Sequence, residues 1–165
     1  MSGTTNGGAR GWLAVALLLA AGGCGGGSDA EGEGEPCGPE LAEVREVGAD
    51  GSLELSSGES VRLLGVTLLP EEEGGTAPAA ATLEFLACAL TGHEVGLTYD
   101  GACTATDGAL LAYVRRCDEL VNLDLLRRGF AAYQPPADGS ALRLAAELAA
   151  AAAEARDRKR GAWAD

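Results

Sequence analysis

The chain has 165 residues, of which 25 are Asp or Glu and 12 are Lys or Arg, giving a formal net charge of −13 at pH 7. Such an acidic surface repels polyphosphate, so the composition argues against strong nucleic-acid binding, for which basic patches normally supply the affinity. The length and the 47% hydrophobic content are sufficient for one domain with its own core.

The N-terminus predicts a secretory signal peptide over residues 1–23. Arg10 supplies the positive charge, and an apolar run, WLAVALLLAA, follows at residues 12–21. Such a run reaches only about 15 Å as a helix, so we do not expect a permanent membrane span, which needs about 20 residues. The sequence Ala-Gly-Gly before Cys24 resembles the bacterial lipobox, in which that cysteine is acylated and begins the mature protein. The alternative is an ordinary secretory signal with an incidental cysteine.

Residues 24–36 (CGGGSDAEGEGEP) predict a flexible acidic tether between the membrane and a domain at residues 37–165. We therefore expect a lipid-anchored protein of the bacterial cell envelope, on the periplasmic or cell-surface side. Gly25 stands where enteric lipoprotein sorting uses an aspartate for inner-membrane retention. This residue favours the outer membrane in a cell that has one.

Four cysteines follow the tether, namely Cys37, Cys88, Cys103 and Cys117. In an oxidising compartment they predict two disulfides, for which three connectivities are possible. A zinc site is the weaker interpretation, because the sequence has no CxxC pair and His93 is its only histidine.

The spacing of apolar residues predicts short strands, a helix, two further strands and two further helices. The expected strands are residues 41–47, 53–55, 61–66, 93–99 and 110–115, and the expected helices are residues 79–90, 122–128 and 140–160. Ser140 is the expected N-cap of the last helix. The basic run at residues 156–160 is interpreted as a solvated helix end that faces the negative end of the dipole, rather than as a nucleic-acid patch.

This order of elements is that of an OB-type barrel decorated with helices, and several motifs along it resemble the thermonuclease (staphylococcal-nuclease-like) family. LLAYVRRCDELVNLDLLRRGFA at residues 110–131 is similar to the family's G-R-x-L-A-Y-V…V-N…L-L…G-x-A stretch. RLLGV at residues 62–66 resembles the R-L-x-G-I/V-D-x-P-E strand, and EAR…GAW at residues 154–163 resembles the closing E-A-R…G-L-W. The resemblance implies an α+β fold, a five-stranded OB-type β-barrel with three helices.

Catalysis in this family uses a calcium ion held by two carboxylates and a threonine region, a glutamate that handles the attacking water, and two arginines that neutralise the phosphate. Carried over to this sequence, the first arginine is Arg62. The glutamate is Glu71, which follows Pro70, provided that one residue is inserted within residues 67–69.

The other family positions are changed. The places of the two calcium carboxylates fall on Gly51 and Thr67, the position after the second is Leu68, and the second arginine is replaced by Ala109. A hard cation binds through charged oxygen ligands, so we expect no metal and no other cofactor. Loss of one transition-state charge donor typically lowers the rate by about 10² to 10³. We therefore expect an inactive envelope binding or structural module.

The alternative is a weak calcium-dependent extracellular nuclease that hydrolyses DNA or RNA. In that case Asp50, or the Glu72-Glu73 pair, replaces the missing ligands. As partners we expect the membrane, a protein that the sequence does not identify and no nucleic acid, and we expect a monomer.

The family fold also implies a disulfide connectivity. It brings Cys37, at the start of the first strand, beside the strand that ends shortly before Cys103, and Cys117 near the end of the helix that carries Cys88. The expected pairs are therefore Cys37–Cys103 and Cys88–Cys117.

Overall fold

The structure, a computed structural model, describes residues 37–71 and 78–164. Its strands are β1 (Leu41–Val47), β2 (Leu53–Leu55), β3 (Ser60–Leu63), β4 (Val66–Leu68), β5 (Glu94–Thr98), β6 (Leu110–Arg116), β7 (Glu119–Leu120) and β8 (Ala131–Tyr133). Its helices are α1 (Ala80–Leu90), α2 (Val121–Arg128) and α3 (Ala145–Asp157), and a 3₁₀ turn covers Gly161–Trp163. Within these ranges, no helix is long and apolar enough to cross a membrane. The predictions for the signal peptide, the tether and Cys24 lie outside the described residues.

Five strands close a barrel in the order β3-β2-β1-β5-β6, and a parallel pairing between β3 and β6 completes it. The other pairings within the barrel are antiparallel. β7 pairs with the end of β6 in antiparallel fashion, and β4 forms a separate two-stranded sheet with β8. The predicted α+β fold, an OB-type barrel with three helices, is confirmed.

The core follows from the alternation of apolar residues along the strands. On β5, for example, Val95 and Leu97 are 1% and 4% exposed while their neighbours are more accessible, which fits the two-residue period of a strand. Asn122 is a polar side chain in this core, with 0% exposure. Asn122 of α2 accepts a hydrogen bond from the backbone N–H of Val114 and donates one to the carbonyl of Leu64. It thereby joins α2 to β6 and to the residue after β3.

The predicted strand at residues 61–66 is interrupted in the structure. Gly65 adopts φ +75°, and a Cβ at this position would lie 2.8 Å and 3.0 Å from the side chains of Leu148 and Leu142. Gly65 therefore allows the chain to turn where α3 packs closely against it. The residues after the turn form β4, whose partner β8 was not predicted from the sequence.

The prediction of a helix that begins at Ser140 is wrong, since α3 begins at Ala145. The backbone N–H and the hydroxyl of Ser140 both donate to Oδ1 of Asp138, at 2.9 Å and 2.7 Å. The backbone N–H of Arg143 donates to Oδ2 of Asp100 at 2.6 Å. These contacts hold the segment before α3 in turns against the barrel, so helix formation starts later.

The predicted disulfide Cys37–Cys103 is confirmed, with a Cα–Cα distance of 5.0 Å. The predicted disulfide Cys88–Cys117 is wrong, because both cysteines are free and exposed. On α1 the buried side chains include Leu86 and Leu90. Cys88 lies two residues from each of them, about 200° around the helix, so it points away from the barrel.

Candidate functional site

Arg62 lies at the centre of an acidic cleft on the outside of β3. Its neighbours Val61 and Leu63 are buried, so strand alternation directs Arg62 to solvent, where its side chain is 47% exposed. Nη2 of Arg62 lies 3.2 Å from Oδ2 of Asp50 and 2.6 Å from Oδ2 of Asp107. Asp50 comes from the turn between β1 and β2, and Asp107 from the loop before β6. The parallel pairing of β3 with β6 brings that loop to Arg62.

Asp50 is held in place by its own turn. The hydroxyl of Ser52 donates to Oδ1 of Asp50 at 2.6 Å, and the Ser52 backbone N–H donates to the same oxygen at 3.1 Å. These hydrogen bonds, led by that of the hydroxyl and supported by the charge of Arg62, lower the pKa of Asp50 below its ordinary value. A fixed, ionised carboxylate therefore faces the Arg62 guanidinium.

The cleft around this ion pair has a volume of about 520 Å³. Its charged lining consists of one guanidinium, that of Arg62, and the four carboxylates of Asp50, Glu54, Glu59 and Asp107. With these groups ionised the cleft carries a net charge of −3. A phosphodiester that enters it meets like charge, and Arg62 already has two anionic partners.

A second cavity, of about 220 Å³, brings together Arg62 and the three positions at which the family resemblance places the ion, Gly51, Thr67 and Leu68. Gly51 adopts φ +82°, and a Cβ built there would collide with Cδ1 of Leu68. The side chain of Leu68 therefore occupies the space into which a carboxylate at position 51 would project. The hydroxyl of Thr67 donates a hydrogen bond to Oε1 of Gln134. Across residues 37–71 and 78–164 there is no group of three or more His, Cys, Asp or Glu that could hold a metal ion.

Glu71 lines a different cavity from Arg62. It is exposed and borders a mainly apolar pocket of about 300 Å³ whose walls include Phe130 and Ala162. The two cavities described above, which Arg62 lines, do not include Glu71. Glu72 and Glu73, the alternative ligands, lie outside the described residues.

The segment from β3 to residue 165, which carries Arg62 and Asp107 of the cleft, was the part of the chain that matched known proteins. The family model for staphylococcal nuclease homologues matches residues 60–165. The chain belongs to the staphylococcal nuclease homologue family. A comparison with curated proteins finds no match.

In this staphylococcal nuclease homologue, Ala109, at which the sequence resemblance places the second arginine, is 7% exposed and lines the larger cleft. Asp107, two residues earlier, accepts a hydrogen bond from the Ala109 backbone N–H at 3.2 Å and binds Arg62 with its other oxygen. Sequence reasoning missed this role of Asp107. The available signal was an Asp-Gly turn next to the position where the resemblance requires positive charge.

Proposed function

We propose that this staphylococcal nuclease homologue is a non-hydrolytic binding or structural module, anchored to a bacterial envelope membrane through a lipid on Cys24. The observation that carries the proposal is the state of Arg62. Asp50 and Asp107 bind its guanidinium in a cleft of net negative charge. A transition-state phosphate would have to displace both carboxylates before it could use this cation.

The arrangement at Gly51 supports the same proposal. Calcium requires several charged or carbonyl oxygen ligands at 2.3–2.6 Å. Glycine has no side-chain ligand, and the apolar side chain of Leu68 lies over it. Without the ion and without the second arginine, two of the main sources of transition-state charge stabilisation are missing.

A weak calcium-dependent nuclease is the second candidate, and one observation favours it. Among the described residues, Nε and Nη1 of Arg62 have no hydrogen-bond partner, because both carboxylates bind Nη2. Two donors therefore remain available to an anion that approaches from the solvent side.

Incubation of the purified mature protein with plasmid DNA and with RNA, with and without millimolar calcium, separates the two candidates. We expect intact nucleic acid and, in titration calorimetry, no saturable calcium site. Arg62→Gln is the decisive variant, and Arg45→Gln, which removes an equal charge elsewhere on the surface, is its control. Calcium-dependent cleavage that Arg62→Gln abolishes and Arg45→Gln preserves would show an active nuclease site and overturn the proposal.

The membrane anchor is tested separately in cells that express the full chain. Cys24→Ser should abolish labelling by a fatty-acid analogue and release the protein from the membrane fraction or stall its processing. Unchanged membrane attachment of Cys24→Ser would contradict lipid anchoring without any bearing on catalysis.

A further inference from the structure

The C-terminal ends of α2 and α3 meet at one end of the domain. Nη1 of Arg160 donates to the carbonyl of Arg127 at 3.1 Å, and the N–H of Ala162 donates to the carbonyl of Gly129 at 3.0 Å. This contact gathers six basic residues, which we call the basic end. They are Arg127, Arg128, Arg156, Arg158, Lys159 and Arg160.

The basic end stands out against the charge of the rest of the domain. The same two helix ends also carry the acids Asp124, Glu154 and Asp157, so six positive and three negative side chains give these segments a net charge of +3. The remaining described residues carry five basic and fifteen acidic side chains, a net charge of −10. The domain is therefore strongly polarised.

Part of the basic end serves the helices themselves. Arg128 pairs with Asp124 at 2.8 Å, and Glu154 pairs with Arg158 at 2.9 Å and Arg160 at 3.3 Å. Cations at helix C-termini also offset the dipole, but this effect is confined to the last turn. These roles account for three of the six residues.

The other three, Arg127, Arg156 and Lys159, are exposed and form no ion pair with any described residue. The guanidinium of Arg156 lies over the ring of Trp163, 4.7 Å from its centroid, and so keeps its charge at the surface. Three cations without an ion-pair partner in the described part of the chain thus lie at the same end of an otherwise acidic domain.

We propose that the basic end contacts the anionic phospholipid headgroups of the membrane to which the protein is anchored. This inference rests on the membrane anchoring proposed above. A Gly-rich tether of the length of residues 24–36 has a root-mean-square span of roughly 20 Å, and a domain of this size has a radius of gyration of about 14 Å. Fully extended, 13 residues reach about 43–47 Å, which exceeds the diameter of roughly 36 Å of a compact sphere with this radius of gyration, so tether length excludes no face from the bilayer.

Charge then selects the face. An anionic surface repels the acidic remainder of the domain and attracts the basic end, and each Lys or Arg close to such a surface contributes roughly a five-fold factor to binding. Headgroups fit this end better than a nucleic-acid strand does, because the cations form one compact group and the flanking surface is acidic. The contact would fix the orientation of the domain on the membrane.

Trp163 supplies the readout. The chain has two tryptophans, and the other, Trp12, lies in the predicted signal peptide, so Trp163 reports alone on residues 24–165. A protein of residues 24–165, with a hexahistidine tag in place of the lipid, is attached to vesicles that contain a nickel-chelating lipid. Quenching of Trp163 by a nitroxide-headgroup lipid is compared between vesicles of phosphatidylcholine alone and vesicles that also contain phosphatidylglycerol. The tag makes the result independent of Cys24 acylation.

We expect stronger quenching on the phosphatidylglycerol vesicles and its loss at high salt. Arg127→Gln with Lys159→Gln should reduce the ratio of bound to free domain roughly twenty-five-fold. Arg45→Gln with Arg115→Gln, an equal change in charge, should leave this ratio unchanged. Equal quenching on both kinds of vesicle, or equal loss in both double variants, would overturn the inference. So would Arg127- and Lys159-dependent binding of an oligonucleotide without vesicle binding. If the vesicle experiment is positive but Cys24 is not acylated in cells, the lipid anchor is refuted and the inference about the basic end stands.

Discussion

Gly51→Asp places a carboxylate where the sequence resemblance predicts a calcium ligand, and it tests whether Leu68 occupies the space that this side chain would enter. Two costs are expected. A residue with a Cβ at φ +82° is strained by roughly 1–2 kcal/mol, although Asp tolerates this region better than most. The collision with Leu68 adds about 1–3 kcal/mol of overpacking. The free energy of unfolding should therefore fall by about 2–5 kcal/mol.

Gly58→Asp separates the two costs. Gly58 adopts φ +95°, and a Cβ there meets no atom within 4 Å, so this variant carries the backbone strain alone. Leu68→Ala supplies the other half of a double-mutant cycle, because it empties the space above Gly51. In the double variant the overpacking should disappear, which gives a coupling energy of about 1–3 kcal/mol between the two positions.

Urea unfolding followed by circular dichroism measures all four variants, provided that the slope with denaturant stays constant. Additive effects of Gly51→Asp and Leu68→Ala, within about 0.5 kcal/mol, would refute the packing of Leu68 over Gly51. An equal loss of stability in Gly51→Asp and Gly58→Asp would refute it as well, since strain would then be the whole effect.

Three further predictions concern the framework that positions the cleft. Burial, and then the hydrogen bond to Asp100, raises the pKa of Tyr113 to about 12, so its contribution to stability is complete below pH 10 and is lost as the pH rises through 12. In chemical denaturation the native chain should therefore lose about 2 kcal/mol of stability over this pH range, and Tyr113→Phe should not show this loss. Cys103→Ser removes the disulfide to Cys37, which spans 66 residues. Thermal unfolding should show that the variant is less stable than the native protein by about 4 kcal/mol, and this difference should disappear under reducing conditions. Asn122→Ala leaves two buried backbone groups unpaired and should lower stability by about 2–4 kcal/mol in chemical denaturation, whereas a loss below about 0.5 kcal/mol would contradict the buried hydrogen bonds.

The barrel strands could be predicted from the sequence because their signal is local. Val95 and Leu97, for instance, alternate with more accessible neighbours, and that alternation alone fixes which face of β5 is buried. β8 gave no such signal, since it has only three residues and its pairing with β4 depends on the turn at Gly65. The late start of α3 likewise depends on a contact with Asp100, 43 residues earlier in the chain.

The same distinction explains what was missed at the site. The family motifs predict roles for Arg62 and for the changed positions from short stretches of sequence, and these assignments stay predictions. The contact of Leu68 with Gly51 and the ion pair between Arg62 and Asp107 join residues far apart in the chain. Only the closed barrel brings these residues together.

The proposed loss of catalysis follows from the charge of the whole cleft rather than from any single missing residue. Among the described residues that line the larger cleft, Arg62 is the only cation, Ala109 adds no charge, and four carboxylates line the same space. An arginine restored at position 109 would reduce the net charge there from −3 to −2, and Asp107 would offer it a carboxylate two residues away. Two cations would then still face four anions, so a phosphate would gain little net attraction. Recovery of phosphate binding therefore requires the removal of acids, Asp107 first, as well as the return of the arginine.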